Sequence, residues 1–459
     1  TLVSGELPAI TPPLPIEEGK FTHAELRIAI NQLKSGKAIQ HGDVPIEIFK
    51  VLADESGIYV RPLLDLFNEC FLQGRVPGKW LTARVSMIFK KGDPASSENY
   101  RPICLTPVVY RIYASMIKQR LLDGGLDSYL WKSQFGFRKR RSGEDAIYIA
   151  RRHIEVACAQ RSGQVSLLAL DWRKAFDCIN VESLLDSLRR YGISEKLVHV
   201  IEGLMIERRF FVEDCSQTSS SRGQRSGISQ GCTLSPLLFI VLMSALMHDA
   251  IGSLSPEATA AYASGSLADL AYADDTLLIG ASSAHVEEFL AVVADMGRRY
   301  GLELHPDKLQ LLQVRCNGGV RRPDGIKVDH SSTLSYLGST LSNDGRVGSE
   351  LSRRIGAAKG DFEKLQQVWK HSSLSRYRKI EIFVALIESK LLYSLATACY
   401  TVAELRRLDG FQSRCLRSIL NIGSSFLTRI PNIEVRRRAG LAAAPSGGFF
   451  RQKRRLEIK

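Results

Sequence analysis

The chain has 459 residues, with 62 Lys plus Arg against 48 Asp plus Glu, a formal net charge of +14. Hydrophobic residues at 44% and charged residues at 24% exclude a wholly disordered chain, and the length suits roughly three domain-sized units. The longest apolar run, 237–247, is too short to span a bilayer and predicts a buried helix. Residues 1–20, with Pro8, Pro12, Pro13 and Pro15, read as a loose arm. A helix is expected over 22–33, where Leu26, Ile30 and Leu33 follow a Thr22 cap, and further helices over 45–53 and 61–73. Residues 84–89 predict a strand, and Lys90, Lys91, Gly92, Asp93 and Pro94 the turn after it. The apolar run 165–170 predicts a short strand ending directly in Asp171, with helices over 181–190 and 236–250. Residues 267–280 are two apolar runs around Asp274 and Asp275, the pattern of a hairpin with carboxylates at its tip. A helix over 286–300, a strand over 302–304 and a segment 334–341 follow. From 351 to 421 the pattern is almost wholly helical, with Leu365, Trp369, Ile382, Leu386, Leu391 and Leu392 as core candidates. The fold class is α+β, a mixed body followed by an α-helical domain, without internal repeats.

The positive excess calls for a polyanionic partner, nucleic acid or an anionic membrane surface. It is uneven: residues 401–459 hold 13 Lys plus Arg against 4 Asp plus Glu, and Arg138, Lys139, Arg140 and Arg141 form a second block beside Phe135 and Phe137. Two basic zones favour a long polyanion over a membrane. Nine scattered cysteines, none spaced Cys-x-x-Cys, argue against disulfides and structural zinc and for a reducing, intracellular setting, nuclear or cytoplasmic. The chain opens on Thr1 without a secretion leader and is expected to be a fragment of something longer.

Two adjacent acids on a tight apolar hairpin repel each other and resist desolvation, and a cation relieves both costs. Mg²⁺ takes oxygen ligands, one or two carboxylates plus substrate phosphates, so Asp171, Asp274 and Asp275 are candidate ligands. Spacing alone leaves this open. Asp274-Asp275 reads equally as a solvated turn, and Asp171 as a cap for the residues that follow it.

Ordered motifs carry the argument further. Tyr272-Ala273-Asp274-Asp275 resembles the third block of the reverse transcriptases, and Asp171-Trp172-Arg173-Lys174-Ala175-Phe176-Asp177 the first. Ser229-Gln230-Gly231, running on through Cys232, Thr233, Leu234, Ser235 and Pro236 to Phe239, resembles the second. Asn99-Tyr100-Arg101-Pro102-Ile103 and Gln134-Phe135-Gly136-Phe137-Arg138 are similar to two blocks of the fingers. Gly36-Lys37-Ala38 with Gly42, Asp43 and Pro45 resembles the upstream block of the non-LTR (LINE-like) enzymes. Tyr336-Leu337-Gly338 resembles the block that leads into the thumb, and Leu391-Leu392-Tyr393 the LINE-type thumb itself.

The resemblance implies a right-hand polymerase: an arm and fingers extension (1–60), fingers and palm (61–345), a helical thumb (346–425) and a basic C-terminal segment (426–459). It implies an RNA-directed DNA polymerase that adds dNTPs to a primer DNA 3′-hydroxyl on template RNA. Asp171, Asp274 and Asp275 would hold two Mg²⁺ ions, with Mn²⁺ able to substitute. Phe176 would stack under the sugar and leave no room for a 2′-hydroxyl. Gln230 and Gly231 would lie along the nascent base pair, Lys90, Lys91 and Arg101 would clamp the triphosphate, and Phe137 and Arg138 would touch the template. Lys308 would be the acid that protonates pyrophosphate. The sequence departs from the family at Ser229, where Arg is frequent, in the fourth block (Gly301, Leu302, His305, Lys308, Leu309), and at Ile39-Gln40-His41 in the upstream block. An inactive relic that only binds nucleic acid is the alternative reading.

Overall fold

In the computed structural model, which describes residues 8–53, 57–214, 217–441, 444–447 and 456, the strand Val165–Leu170 is the centre of the acidic sheet. Residues 1–7 of the expected arm and most of the basic segment beyond 441 lie outside the described residues. The chain folds into two compact units, each discontinuous in sequence: Thr1–Lys139, Asp171–Thr259 and Glu288–Asp307 form one, and Arg140–Leu170, Ala260–Glu287 and Lys308–Lys459 the other.

In the first unit a five-stranded sheet is built on Thr82–Phe89, which pairs antiparallel with Tyr100–Leu105 and parallel with Arg209–Asp214. In the same unit helix His23–Gln32 packs on Arg61–Gln73 and on Val108–Asp123, over an aromatic cluster. Phe67 and Tyr113 lie 5.3 Å apart, and Phe21 and Phe71 4.8 Å. His23–Gln32 starts where Thr22 and Glu25 cap each other's backbone amides, as the Thr22 signal predicts. Glu25 also pairs with the buried Arg120 at 2.6 Å, and Arg120 lies 4.0 Å over the Phe21 ring. The upstream block has a structural task. Gln40 donates to the carbonyls of Thr82 (2.9 Å) and Leu105 (2.5 Å), and the Asp43 carboxylate accepts the first amide of helix Val108–Asp123, Val108 N, at 2.8 Å.

The run 237–247 extends to the 18-residue helix Ser235–Gly252, which by length and composition alone could cross a membrane. Its surroundings decide otherwise: 72% of it is buried inside the protein, against Val181–Arg190 among others, so it is a core helix. The predicted strand 302–304 does not form. Only Leu304 makes a bridge, to Trp172, before the chain turns at Pro306, which has no amide to extend a ladder.

In the second unit the strand order is His330–Ser331, Gln310–Val314, Val165–Leu170, Asp275–Gly280, Leu267–Tyr272. Val165–Leu170 has antiparallel neighbours on both sides and five of its six residues buried, which is why the run is apolar but for the buried Ser166. The segment 334–341 is a hairpin of Thr333–Tyr336 and Ser339–Ser342. Beyond it helices Gly348–Lys364, Arg376–Ile382 and Val402–Leu420 close around Leu351, Phe383, Ile387, Leu391 and Leu416. Trp369 and Leu391 are core as expected, and Leu365, Ile382 and Leu392 border it. Leu386 is not: it is 54% exposed, because the stretch Phe383–Glu388 winds with a wider π-helical pitch and turns that position outward.

Candidate active site

The acidic hairpin owes its form to pairing. Leu267–Tyr272 and Asp275–Gly280 are in register from Leu267 opposite Gly280 to Tyr272 opposite Asp275, which leaves a two-residue turn of Ala273 and Asp274. Ala273 has φ +56°, a conformation that L-residues adopt at a cost, and the turn holds it there. Asp274 is half-buried and Asp275 exposed. On the other edge of Asp275–Gly280, Leu170 stands opposite Thr276. Asp171 is the next residue in the chain, so covalent continuity carries it to the acidic end of the hairpin. The backbone of Asp171 is itself fixed, its carbonyl accepting His305 N at 2.8 Å.

The carboxylate oxygens of Asp274 and Asp275 at the hairpin turn suit a hard divalent cation, with no sulfur or imidazole required. Among the described residues no group of three or more His, Cys, Asp and Glu side chains forms a ready-made metal cage.

Phe176 sits on the short helix Ala175–Cys178. Its ring stacks on Phe239 at 4.4 Å with a 7° tilt, and meets Phe137 edge-on at 6.4 Å. Phe239 is fully buried in helix Ser235–Gly252. The sequence gives Phe239 no role beyond its place in a motif, yet it backs the Phe176 ring. Phe137 is 53% exposed with φ +58°, so its ring is available to a ligand.

Gln230 and Gly231 form a turn bound to the strand Tyr100–Leu105: the Gln230 carbonyl accepts Cys104 N at 2.7 Å. Gly231 has φ +134°, and a Cβ there would lie 2.2 Å from the Cys104 carbonyl oxygen. Gly231→Ala is thus expected to cost about 2 kcal/mol or more, read as a lower midpoint in thermal or urea denaturation. The Gln230 side chain donates to Asp177 Oδ1 at 3.2 Å.

The cationic residues separate into two kinds. Lys90, Lys91 and Arg101 are exposed beside the paired ends of Thr82–Phe89 and Tyr100–Leu105, where Ile88 faces Arg101. Arg138 is a correction. It is 9% exposed and its guanidinium is spent inside the protein, on the Asp127 carboxylate (3.1 Å) and carbonyl and on the Trp131 carbonyl (3.0 Å). It braces the loop that presents Phe137 and leaves no donor for a template, and a run of basic residues gave no sign of this. Lys308 is exposed at the end of the 3₁₀ turn Pro306–Lys308.

The two motifs assigned to the thumb meet. Tyr393 Oη donates to the Leu337 carbonyl at 2.8 Å, and Arg353 and Arg354 donate to the Gly338 carbonyl. Both arginines are held by Glu350, whose side chain is fully buried. Those arginine bonds keep the Glu350 carboxyl below its ordinary range against the opposing effect of burial.

Residues 88–341, more than half of the chain, match the family model described as reverse transcriptase (RNA-dependent DNA polymerase). The chain belongs to the reverse transcriptase family, in its non-LTR, LINE-like branch, and its α+β fold is that family's right-hand polymerase fold. It is 27% identical over 372 residues to the retrovirus-related Pol polyprotein from type-1 retrotransposable element R2 of Popillia japonica, covering 76% of this chain and 49% of that protein. It is 24% identical over 385 residues to the RNA-directed DNA polymerase from mobile element jockey of Drosophila melanogaster, covering 80% and 40%. The chain thus spans less than half the length of either relative. Telomerase from Candida albicans, solved with a fragment of telomeric RNA, aligns with TM-score 0.46 and 12% identity over 83% of this chain and 68% of that one.

Proposed function

We propose that this chain is the polymerase core of a non-LTR retrotransposon protein, an RNA-directed DNA polymerase that adds dNTPs to a primer 3′-hydroxyl on template RNA. The observation that carries the reading is the register of the acidic sheet, with Leu170 opposite Thr276 and Asp274 and Asp275 at the adjoining tip. Asp171, Asp274 and Asp275 hold divalent ions, Mg²⁺ by preference with Mn²⁺ as substitute. Bound there, such ions supply Lewis-acid activation of the primer hydroxyl and charge neutralisation on the phosphates. Lys90, Lys91 and Arg101 draw the triphosphate to the strand ends through charge-assisted bonds. Phe176, backed by Phe239, walls the sugar site, Gln230 and Gly231 border the nascent base pair, and Phe137 meets the template. Lys308 is assigned to the departing pyrophosphate. The parts of the hand follow the sequence divisions 1–60, 61–345, 346–425 and 426–459. An intracellular site of action, nuclear or cytoplasmic, is part of the proposal and rests on the scattered cysteines of the sequence.

Primer extension tests the reading. A DNA primer on an RNA template is incubated with dNTPs or rNTPs and with Mg²⁺ or Mn²⁺. Extension with dNTPs is expected, weakened by added salt because the nucleic acid is held chiefly through backbone charge. Absence of extension with either ion would overturn it.

A further inference from the structure

Gln230 belongs to a motif, but its side chain is committed to a partner that the motif does not predict. Its amide nitrogen donates to Asp177 Oδ1 at 3.2 Å, across 53 residues of chain. An ionised carboxylate only accepts hydrogen bonds, so the amide must turn its NH₂ end to Asp177 and its Oε1 away from it. The main chain of Gln230 is pinned as well, through Cys104 N and the close approach of Gly231 to the Cys104 carbonyl. With the backbone and one amide N–H held, the acceptor oxygen, on the side away from Asp177, is left to face a ligand together with the second N–H.

Asp177 is itself firmly placed. Its carbonyl accepts Ser226 Oγ at 3.0 Å, and Gly227 packs so closely on its backbone that a Cβ there would come within 2.5 Å of the Asp177 carbonyl oxygen. Phe176, its neighbour, accepts Ile228 N at 2.7 Å. The segment that carries Gln230 is therefore laced to the segment that carries Phe176 on both sides of Asp177. Burial raises the Asp177 carboxyl above its ordinary range, while the Gln230 amide and the Lys174 and Lys90 ammoniums favour its ionised form.

We infer that Asp177 is a positioning residue: it fixes the orientation of the Gln230 amide so that Oε1 is presented to the incoming nucleotide as a hydrogen-bond acceptor. The inference rests on the polymerase reading above for the identity of the ligand, but the Asp177–Gln230 coupling stands apart from it. Asp177 touches no reacting atom. Its loss acts through Gln230 and appears in nucleotide KM ahead of kcat.

Two measurements decide it. In protein labelled with ¹⁵N at glutamine side chains, without nucleic acid, the Gln230 amide signal is identified by its absence in Gln230→Ala. It is expected to move in both Asp177→Ala and the near-isosteric Asp177→Asn, and a signal unmoved in both would overturn the coupling. In primer extension, Asp177→Ala and Gln230→Ala are each expected to raise dNTP KM about tenfold, with kcat changed less than about twofold. The double variant is expected to match Gln230→Ala alone, because the interaction is already gone. Multiplied effects, about a hundredfold in the double variant, would show that Asp177 acts independently of Gln230 and overturn the inference. If the unaltered chain extends no primer, the polymerase reading fails, and with it the nucleotide as ligand, while the amide signal still decides the coupling.

Discussion

Asp274→Ala is expected to reduce primer extension about a thousandfold or more while leaving RNA affinity within about twofold. Asp274 is the second residue of the turn between Leu267–Tyr272 and Asp275–Gly280, outside the ladder that runs from Leu267 with Gly280 to Tyr272 with Asp275. On the proposed reading, removing its carboxylate takes away an oxygen donor for the cation and leaves the strand pairing in place. RNA binding depends on the spread of positive charge, and one acid fewer does not weaken it. Stability gives a separate readout. Saturating Mg²⁺ is expected to stabilise the parent by about 1–3 kcal/mol and the variant by much less, since an ion that binds only the folded state stabilises it by mass action. Template-dependent synthesis retained in Asp274→Ala, or an undiminished Mg²⁺ effect on melting, would refute the ligand assignment.

What could be read in advance divides along a physical line. Local signals held: the strand Val165–Leu170 and the helices Arg61–Gln73 and Val181–Arg190 begin and end where hydrophobic pattern and caps indicate. The hairpin is equally plain from two apolar runs around Asp274-Asp275, although the turn itself is Ala273-Asp274 and Asp275 already pairs with Tyr272. Tyr100–Leu105 was hidden by Pro102, which ordinarily argues against a strand. It is tolerated because this strand lies at the edge of its sheet. Charge misled most at Arg138, whose partner Asp127 is eleven residues away and whose guanidinium is buried. Gln230 and Asp177 are 53 residues apart, and nothing in either segment announces the other. Side-chain partnerships across such separations follow from the fold, whereas the motifs that imply the reaction are short and contiguous.

Phe176→Ala is expected to lower the preference for dNTPs over rNTPs by about a hundredfold, measured as the ratio of kcat/KM values. The reason lies in how the ring is held. A gate that rejects a single hydroxyl must be stiff, since a ring free to swing would admit the extra oxygen by moving. Phe176 is not free: Phe239 lies parallel beneath it at 4.4 Å, and Phe137 abuts it edge-on at 6.4 Å. Stacked aromatic pairs add about 0.5–1.5 kcal/mol beyond the area they bury, enough to favour one ring position strongly. Truncation to Ala removes the wall, and the cavity it leaves lies at a half-buried position, so the fold is expected to survive. Phe239→Ala makes the contrasting case. It keeps the wall but removes its backing, so an intermediate loss of sugar selection is expected. Because Phe239 is fully buried, it also costs about 3–5 kcal/mol of stability. Steric exclusion and mere packing thus predict different outcomes. If Phe176 excludes the 2′-hydroxyl, the less destabilising substitution has the larger effect on selectivity. If Phe176 is only a core residue, selectivity stays constant in both variants and stability alone falls.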